Sequence, residues 1–246
     1  MSQLNDKQSS VNSPVGQSSF GKTLIEIFVN PKPAFAAVKL NFSWSWLVLA
    51  LQLLTFAGVL FWFYQGLTPQ WLVEQQLLHS PELSPAEIEQ SKAMLGQMAN
   101  AMPMVAPVFG AITLVIIMAL NAFYLHIYGK MAGLKESFGG WFSLTVWSQM
   151  PLIPNMIGFA ALILASTTPD MPLSAINYAS VNQLLFNQAI GDQYYTLLES
   201  ISLFTFWQIA LTAVGIQQWT TQSFGKALAI AAAPYAVVYG IWALIA

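Results

Sequence analysis

Residues 104–128 read MVAPVFGAITLVIIMALNAFYLHIY and contain no Lys, Arg, Asp or Glu. A helix rises 1.5 Å per residue, so crossing the roughly 30 Å hydrocarbon core of a bilayer takes about 20 apolar residues. Four further segments have the same character, and they cover residues 46–64, 141–165, 200–219 and 227–246. The sequence therefore predicts an all-α integral membrane bundle of five transmembrane helices.

The composition agrees with a membrane protein and narrows its chemistry. Hydrophobic residues make up 56% of the chain and charged residues only 7%, whereas about a quarter of the residues in a soluble domain are charged. Cysteine and arginine are both absent, which excludes disulfides and thiolate metal sites and leaves no basic patch for a row of phosphates. We therefore expect no nucleic-acid partner, no metal and no cofactor.

The first 40 residues divide into two parts. Residues 1–19 are rich in Ser, Gln and Asn and are predicted to form a disordered cytoplasmic tail, because they cannot bury enough apolar surface to fold. Residues 20–40 are predicted to form an interfacial amphipathic helix, since Phe20, Leu24 and Phe28 repeat at helical spacing, with Pro31 and Pro33 as interruptions. A soluble helix that packs on the protein itself is the alternative. Residues 41–246 then form the transmembrane domain.

The lysines predict the orientation, because short cytoplasmic loops retain positive charge during membrane insertion. With five spans, Lys92 falls on one side of the membrane and the other lysines fall on the opposite side. These others are Lys7, Lys22, Lys32, Lys39, Lys130, Lys135 and Lys226. The pattern predicts a cytoplasmic N-terminus and an external C-terminus.

Two external loops are long enough to contain helices of their own. Ser84, Pro85 and Glu87 form the pattern of a helix N-cap with a capping box, and the predicted helix runs to about Met102. A shorter helix is predicted after Ser180 in the second loop.

Ionisable side chains within membrane spans usually mark enzymes or ion-coupled carriers, because a buried charge is costly. Among the predicted spans only His126 is of this type, and it lies near the inner end of its span. A structural or interfacial histidine is the preferred interpretation, and a proton-handling one is the alternative. No motif for a catalytic, cofactor-binding or metal site is found, so the sequence predicts a protein that is not an enzyme.

Prolines and small residues characterise two of the predicted spans. Pro151 and Pro154 remove two backbone donors from the third span and predict a helix break there. In the last span Ala232, Ala236 and Gly240 form a ridge of small residues that lets another helix approach closely. Packing within the bundle is the preferred interpretation of this ridge, and homodimerisation is the alternative.

Amide side chains form a predicted polar layer within the membrane. Gln52, Asn121, Gln149 and Gln208 lie on four different spans, all within about 8 Å of mid-membrane at 1.5 Å per residue, and Asn155 follows the helix break. Unpaired amides are costly in hydrocarbon, so these side chains are expected to turn inward and hydrogen-bond to one another or to carbonyls freed by the prolines. Stabilisation of the bundle is the first interpretation, and a site for a headgroup or water is the second.

The chain resembles the Yip family, named for Ypt/Rab-interacting proteins. The resemblance rests on YGKMAGLKESFGGWFSLTVWSQMPLIP at residues 128–154, on NPKPAF at residues 30–35, and on the junction at residues 215–227. It covers residues 24–246 and implies five spans with a cytoplasmic N-terminus. The Asp-Leu-Tyr-Gly-Pro signature of eukaryotic members is absent, so the chain looks like a bacterial member.

The resemblance implies non-enzymatic work in a membrane. We expect a scaffold or accessory subunit of a complex for transport, secretion or envelope maintenance, with the lipid bilayer and other membrane proteins as partners. The expected location is the bacterial inner membrane, or the Golgi or endoplasmic reticulum membrane for a eukaryotic source. A carrier or channel for a small or lipidic substrate, built around the broken third span, is the alternative function.

Overall fold

The computed structural model describes residues 18–78 and 84–245, and these residues are predominantly helical. The α-helices are α1 (Phe20–Val29), α2 (Pro31–Leu40), α3 (Trp44–Gly66), α4 (Pro69–Leu77), α5 (Pro85–Ala99), α6 (Met102–Met131), α7 (Phe138–Ser148), α8 (Leu152–Ala165), α9 (Tyr195–Ser200), α10 (Leu203–Trp219) and α11 (Phe224–Ile245). A 3₁₀-helix (Leu173–Asn177) and a π-helix (Asn182–Phe186) lie between α8 and α9. Most of the predicted disordered tail lies outside the described residues.

Four helical segments are long and apolar enough to cross a membrane: Trp44–Gly66, Met102–Met131, Phe138–Ala165 and Phe224–Ile245. The remaining predicted span, at residues 200–219, is shorter than expected. Its helix α10 has 17 residues, because the Ser202 hydroxyl accepts a hydrogen bond from the Phe204 amide and caps the helix there. The all-helical membrane architecture therefore holds, and the count of five spans stays a prediction.

The segment Phe138–Ala165 consists of two helices, α7 and α8, with a turn at residues 149–151. Pro151 has no N–H to continue the hydrogen-bond ladder of α7, so the helix ends before it. Pro154 lies in the first turn of α8, where backbone N–H groups have no helical acceptor, and it fits there at little cost.

The core is centred on α2, α7 and α10. Phe35, Trp141, Leu144 and Ile216 are fully buried in its main cluster. Gly215 lets the three helices meet, because a Cβ atom at this position would lie 3.0 Å from Leu144 Cγ and 3.0 Å from Phe35 Cε1. Helix α3 packs on α6 and α8, and α11 packs on α10.

The predicted interfacial helix is two helices, α1 and α2, which are separated at Asn30. They pack on the bundle, with Ile27, Phe35 and Val38 completely buried. The segment is therefore held at least in part by packing on the protein itself, as in the alternative interpretation of its sequence. Its place at the membrane surface stays a prediction, and the exposed side chain of Ile25 is available for lipid contact.

Lys39 joins α2 to two distant parts of the chain. Its Nζ lies 2.7 Å from a carboxylate oxygen of Glu136 and donates a hydrogen bond of 3.2 Å to the Trp219 carbonyl at the C-terminus of α10. A cation is favourable there because the C-terminal end of a helix carries partial negative charge. The Trp219 indole in turn donates to the Phe35 carbonyl at 2.8 Å. Helices α2 and α10 thus each donate a hydrogen bond to a backbone carbonyl of the other.

The long loops at the end of the bundle opposite α1 and α2 also contain helices. The predicted capping box is present: the Ser84 hydroxyl accepts from the Glu87 amide, and the Glu87 carboxylate accepts from Ser84. Hydrogen bonds from the Ser84 hydroxyl and amide lower the pKa of Glu87. Helix α4 packs on α5, and Thr68 at its N-cap donates two hydrogen bonds to Asp170 in the next loop.

Replacing Lys39 with alanine removes an ion pair, a hydrogen bond to a helix end and a cation–π contact with the Trp219 ring, whose centroid lies 5.7 Å from Nζ. We expect Lys39→Ala to lower the free energy of unfolding by about 1–2 kcal/mol and to make residues 18–40 more sensitive to protease. Thermal unfolding in detergent and limited proteolysis measure these two effects. Lys22→Ala is the control, because Lys22 is 64% exposed and pairs with Glu26 on its own helix. Equal effects of the two changes would contradict the docking role of Lys39.

Candidate functional site

Pro234 creates a gap in the hydrogen bonding of α11. It lies inside the helix and has no N–H, so the carbonyl of Ile230, four residues earlier, loses its helical donor. The Tyr124 hydroxyl on α6 supplies the missing donor at 3.0 Å. The Tyr124 side chain on one predicted span therefore satisfies a backbone carbonyl on another.

A small polar pocket lies beside this contact, between α6, α7, α10 and α11. Its volume is about 10 Å³, close to the roughly 10–15 Å³ that one water molecule needs. The pocket is lined by Asn121, Tyr124, Leu125, Thr145, Gln149, Thr212, Ala231, Pro234 and Tyr235. Six of these nine residues carry a hydroxyl or an amide group, which is unusual for the interior of a membrane bundle.

The structure brings two of the predicted amides to this pocket and leaves the others elsewhere. Asn121 and Gln149 both line it, and the Gln149 side chain pairs with the Tyr235 hydroxyl. Gln208 contributes its backbone carbonyl, which accepts from Thr212. Asn155 lies on α8 and accepts, through its carbonyl, a hydrogen bond from Tyr178.

Gln52 has a separate role at the break between α7 and α8. Its side chain is fully buried, and Nε2 donates a hydrogen bond of 2.9 Å to the Val146 carbonyl. The Met150 amide, which would bond to this carbonyl in a continuous helix, donates to Trp147 instead, and the Gln149 amide makes a longer bond of 3.2 Å to the Val146 carbonyl. Gln52 thus stabilises the end of α7 from the neighbouring helix α3.

A larger apolar groove opens beside the polar pocket, between α6 and α11. This lateral groove has a volume of about 320 Å³, within the range of ligand pockets. Its lining residues are Ile117, Leu120, Asn121, Tyr124, Pro234, Tyr235, Val238 and Tyr239. The Tyr239 hydroxyl donates to the Ser200 carbonyl at 3.2 Å, so the ring rather than a free hydroxyl faces the groove.

Charge plays no part in this site. No Asp, Glu, Lys or His lines the polar pocket or the lateral groove, and the described residues contain no group of three or more potential metal ligands of these types. His126 lies away from both, with its ring against Phe138 at a centroid distance of 6.3 Å. The site can therefore offer hydrogen bonds and apolar contact to a neutral group.

A second polar cluster lies in the loop before α10. Glu199 is 6% exposed, and one of its carboxylate oxygens accepts from Asn182 at 3.0 Å and from Gln183 at 2.7 Å. An antiparallel bridge between Ser180 and Ser202 closes the same loop. These contacts fold the loop onto the start of α10.

A comparison with models of known protein families identifies the family of the chain. A Yip1 domain model matches residues 25–245, which is nearly the whole described structure. The chain belongs to the Yip1 domain family. Neither the curated proteins nor the solved structures that were compared gave a match. The Yip1 domain thus includes the second half of α1, all of α2, the broken α7 and α8 segment, and both sides of the site.

The resemblance in the loop and third span therefore identified the family correctly, whereas most of the pocket was missed. Sequence reasoning selected amides and passed over Tyr124, Thr145, Thr212 and Tyr235 as ordinary membrane residues. Pro234 was the available signal, because a proline within an apolar span requires a donor from a neighbouring helix.

The ridge of small residues on α11 is only partly covered. Ala232 packs against the main core cluster, whereas Ala236 and Gly240 are exposed. A Cβ atom at Gly240 would meet nothing within 4 Å. A packing role for the outer part of this ridge in the Yip1 domain stays a prediction.

Tyr124 and Pro234 can be tested as a pair in a double-mutant cycle. We expect Tyr124→Phe to lower the free energy of unfolding by about 0.6–1.7 kcal/mol, because the Ile230 carbonyl loses its donor. In a Pro234→Ala background the new amide can bond to that carbonyl, so the same change should cost much less. Unfolding in mixed micelles measures both free energies.

Tyr128→Phe is the matched control, since the buried Tyr128 hydroxyl has no hydrogen-bond partner among the described residues. This change should leave stability nearly unaltered. An equal cost of Tyr124→Phe in the two backgrounds would show that Tyr124 does not compensate for Pro234.

Proposed function

We propose that the protein is a non-enzymatic membrane scaffold or accessory subunit that binds other membrane proteins through α6 and α11. The exposure of these two helices carries the proposal. Only 11% of the apolar window of each is buried within the chain, against 39% for Phe138–Ala165. Members of the Yip family are generally not enzymes, which supports a binding role.

The outer face of α11 is the part best suited to a partner helix. Ala236 and Gly240 lie one turn apart and are both exposed, so a second helix could approach the backbone closely. Lipid tails could also cover this face, but they would gain nothing from the close backbone approach that small residues allow. The partner is another membrane protein or a second copy of this chain.

A carrier that works through the helix break has less support. Pro151, Pro154 and Asn155 line neither the polar pocket nor the lateral groove. The break is instead closed by Gln52, which bonds to the end of α7. We therefore retain the scaffold and not the carrier.

Our proposal includes five spans, with α10 as the fourth, and places the N-terminus in the cytoplasm of a bacterial cell and the protein in its inner membrane. A Golgi or endoplasmic reticulum location is the alternative for a eukaryotic source. The lysine distribution supports this orientation, and α10 supports the count because it packs between α2, α7 and α11. An odd number of spans puts the two termini on opposite sides.

The orientation predicts the behaviour of reporters fused to the chain. Alkaline phosphatase, which is active only outside the cytoplasm, should be active after Ala246 and inactive in the loop after Lys130. Green fluorescent protein should give the reverse result. A fluorescent C-terminal fusion would show that α10 does not cross the membrane or that the orientation is inverted.

The partner face can be mapped with single cysteines, because the natural chain has none. Ala236→Cys should form disulfide or maleimide crosslinks in native membranes, to a second copy or to another membrane protein. Ile241→Cys is the control, since Ile241 is 56% exposed but lies about 140° from Ala236 around α11 at 3.6 residues per turn.

A bulky substitution tests the same face from the other direction. The pair Ala236→Ile and Gly240→Ile should abolish the crosslinked or co-purified complex while the purified chain keeps its thermal stability, because neither side chain meets the rest of the bundle. Equal crosslinking of positions 236 and 241, or an intact complex after the bulky change, would reject this face.

A further inference from the structure

The polar pocket and the lateral groove share a wall formed by Asn121, Tyr124, Pro234 and Tyr235. We propose that together they bind a neutral lipid with a single hydroxyl group, with the hydroxyl in the pocket and the hydrocarbon in the groove. This binding function goes beyond the scaffold, because it needs no partner protein. Four observations carry it: the size of the pocket, its hydrogen-bond inventory, its lack of charge and the apolar lining of the groove.

The pocket fits one small polar group. Its volume of about 10 Å³ suffices for a group the size of one water molecule. A phosphate or a sugar is several times larger and does not fit. A hydroxyl or a carbonyl oxygen at the end of a hydrocarbon is the right size.

Three of the four hydroxyl groups of the pocket already donate their protons to backbone carbonyls. Thr145 donates to the Trp141 carbonyl at 3.0 Å and Thr212 donates to the Gln208 carbonyl at 2.8 Å. Tyr124 donates to the Ile230 carbonyl. Each of these oxygens keeps lone pairs but has no further proton to give.

The remaining polar atoms add one donor and one acceptor to the balance. Asn121 uses one N–H on the Ile117 carbonyl at 3.0 Å and keeps its second N–H as a donor and its side-chain oxygen as an acceptor. Gln149 is engaged with Tyr235. The pocket is therefore richer in acceptors than in donors, and it should prefer an alcohol, which donates a proton, over a ketone or an ether, which only accepts.

The position and charge of the pocket exclude an ionic headgroup. Pro234 and Tyr235 lie at the middle of the 22-residue helix α11, roughly 15 Å from either end at 1.5 Å per residue. No charged side chain lines the pocket to compensate an ion, and an uncompensated ion at this depth is costly. The ligand must therefore be neutral.

The groove supplies the place for the hydrocarbon. Its walls are aliphatic and aromatic, with Ile117 and Leu120 on α6 facing Val238 on α11. Its volume of about 320 Å³ accommodates a chain of many methylene groups. Because the groove opens on the outer side of the two predicted spans, a ligand can arrive directly from the bilayer.

Photolabelling with a matched pair of probes tests this proposal. The probes are hexadecan-1-ol with a diazirine in mid-chain and its methyl ether, which has the same chain but no proton to donate. Each is added to the purified protein in phosphatidylcholine vesicles, and labelled peptides are identified by mass spectrometry. We expect labelling on α6 and α11 next to the groove, about three- to tenfold stronger for the alcohol.

Two sets of variants locate the two parts of the ligand. Thr145→Val with Thr212→Val keeps the shape of the pocket but removes two acceptors, so labelling by the alcohol should fall to the level of the ether. Val238→Trp should block labelling by both probes. Val237→Trp is its control, because both valines are 58% exposed but only Val238 lines the groove.

Each outcome decides the proposal. Equal labelling by the alcohol and the ether in the natural chain would overturn it, and this comparison needs no variant to fold. Labelling that Val238→Trp does not reduce, or that unlabelled hexadecan-1-ol does not compete away, would show adventitious contact with the bilayer surface of the helices. No labelling beside the groove would show that the pocket holds water alone.

Discussion

The structure depends on one constraint: every backbone carbonyl that loses its N–H donor at a helix break or a proline needs a hydrogen bond from elsewhere in the protein. Hydrocarbon offers no hydrogen bond, so each such carbonyl must find a donor within the protein. Val146 receives one from Gln52 across the α3 and α7 contact, in addition to a longer bond of 3.2 Å from the Gln149 amide. Ile230 receives one from Tyr124 across the α6 and α11 contact. Two helix–helix contacts are thus fixed by the needs of the backbone.

The same constraint shapes the polar pocket. A hydroxyl that donates to a carbonyl has no second proton to donate, so a place where several such hydroxyls meet has more lone pairs than protons. Thr145, Thr212 and Tyr124 meet in this way beside Pro234. Chemical selectivity in the interior of the bundle therefore arises from groups whose first task is to satisfy helices.

Composition and hydropathy predicted the all-helical membrane architecture, and the loop and third-span sequence predicted the family, because both signals are local. The capping box at Ser84 was predictable for the same reason. Pro31 and Pro33 also predicted the interruption between α1 and α2. The packing of these helices on the bundle was not predictable, since it depends on Gly215, Phe35 and Trp219, which meet only after folding. The polar pocket could not be predicted from the sequence for the same reason, because the role of a hydroxyl in a span depends on which acceptor it contacts after folding.

The contacts of α2 also determine the order in which the chain can be completed. Phe35 and Trp219 are 184 residues apart, and Lys39 and Trp219 are 180 apart. At translation rates of about 5–20 residues per second, the first of each pair leaves the ribosome on the order of 10–40 s before the second. Helices α1 and α2 can pack on α7 earlier, but their burial is not complete until α10 is in place. During biosynthesis this segment therefore exposes apolar surface that the folded protein buries.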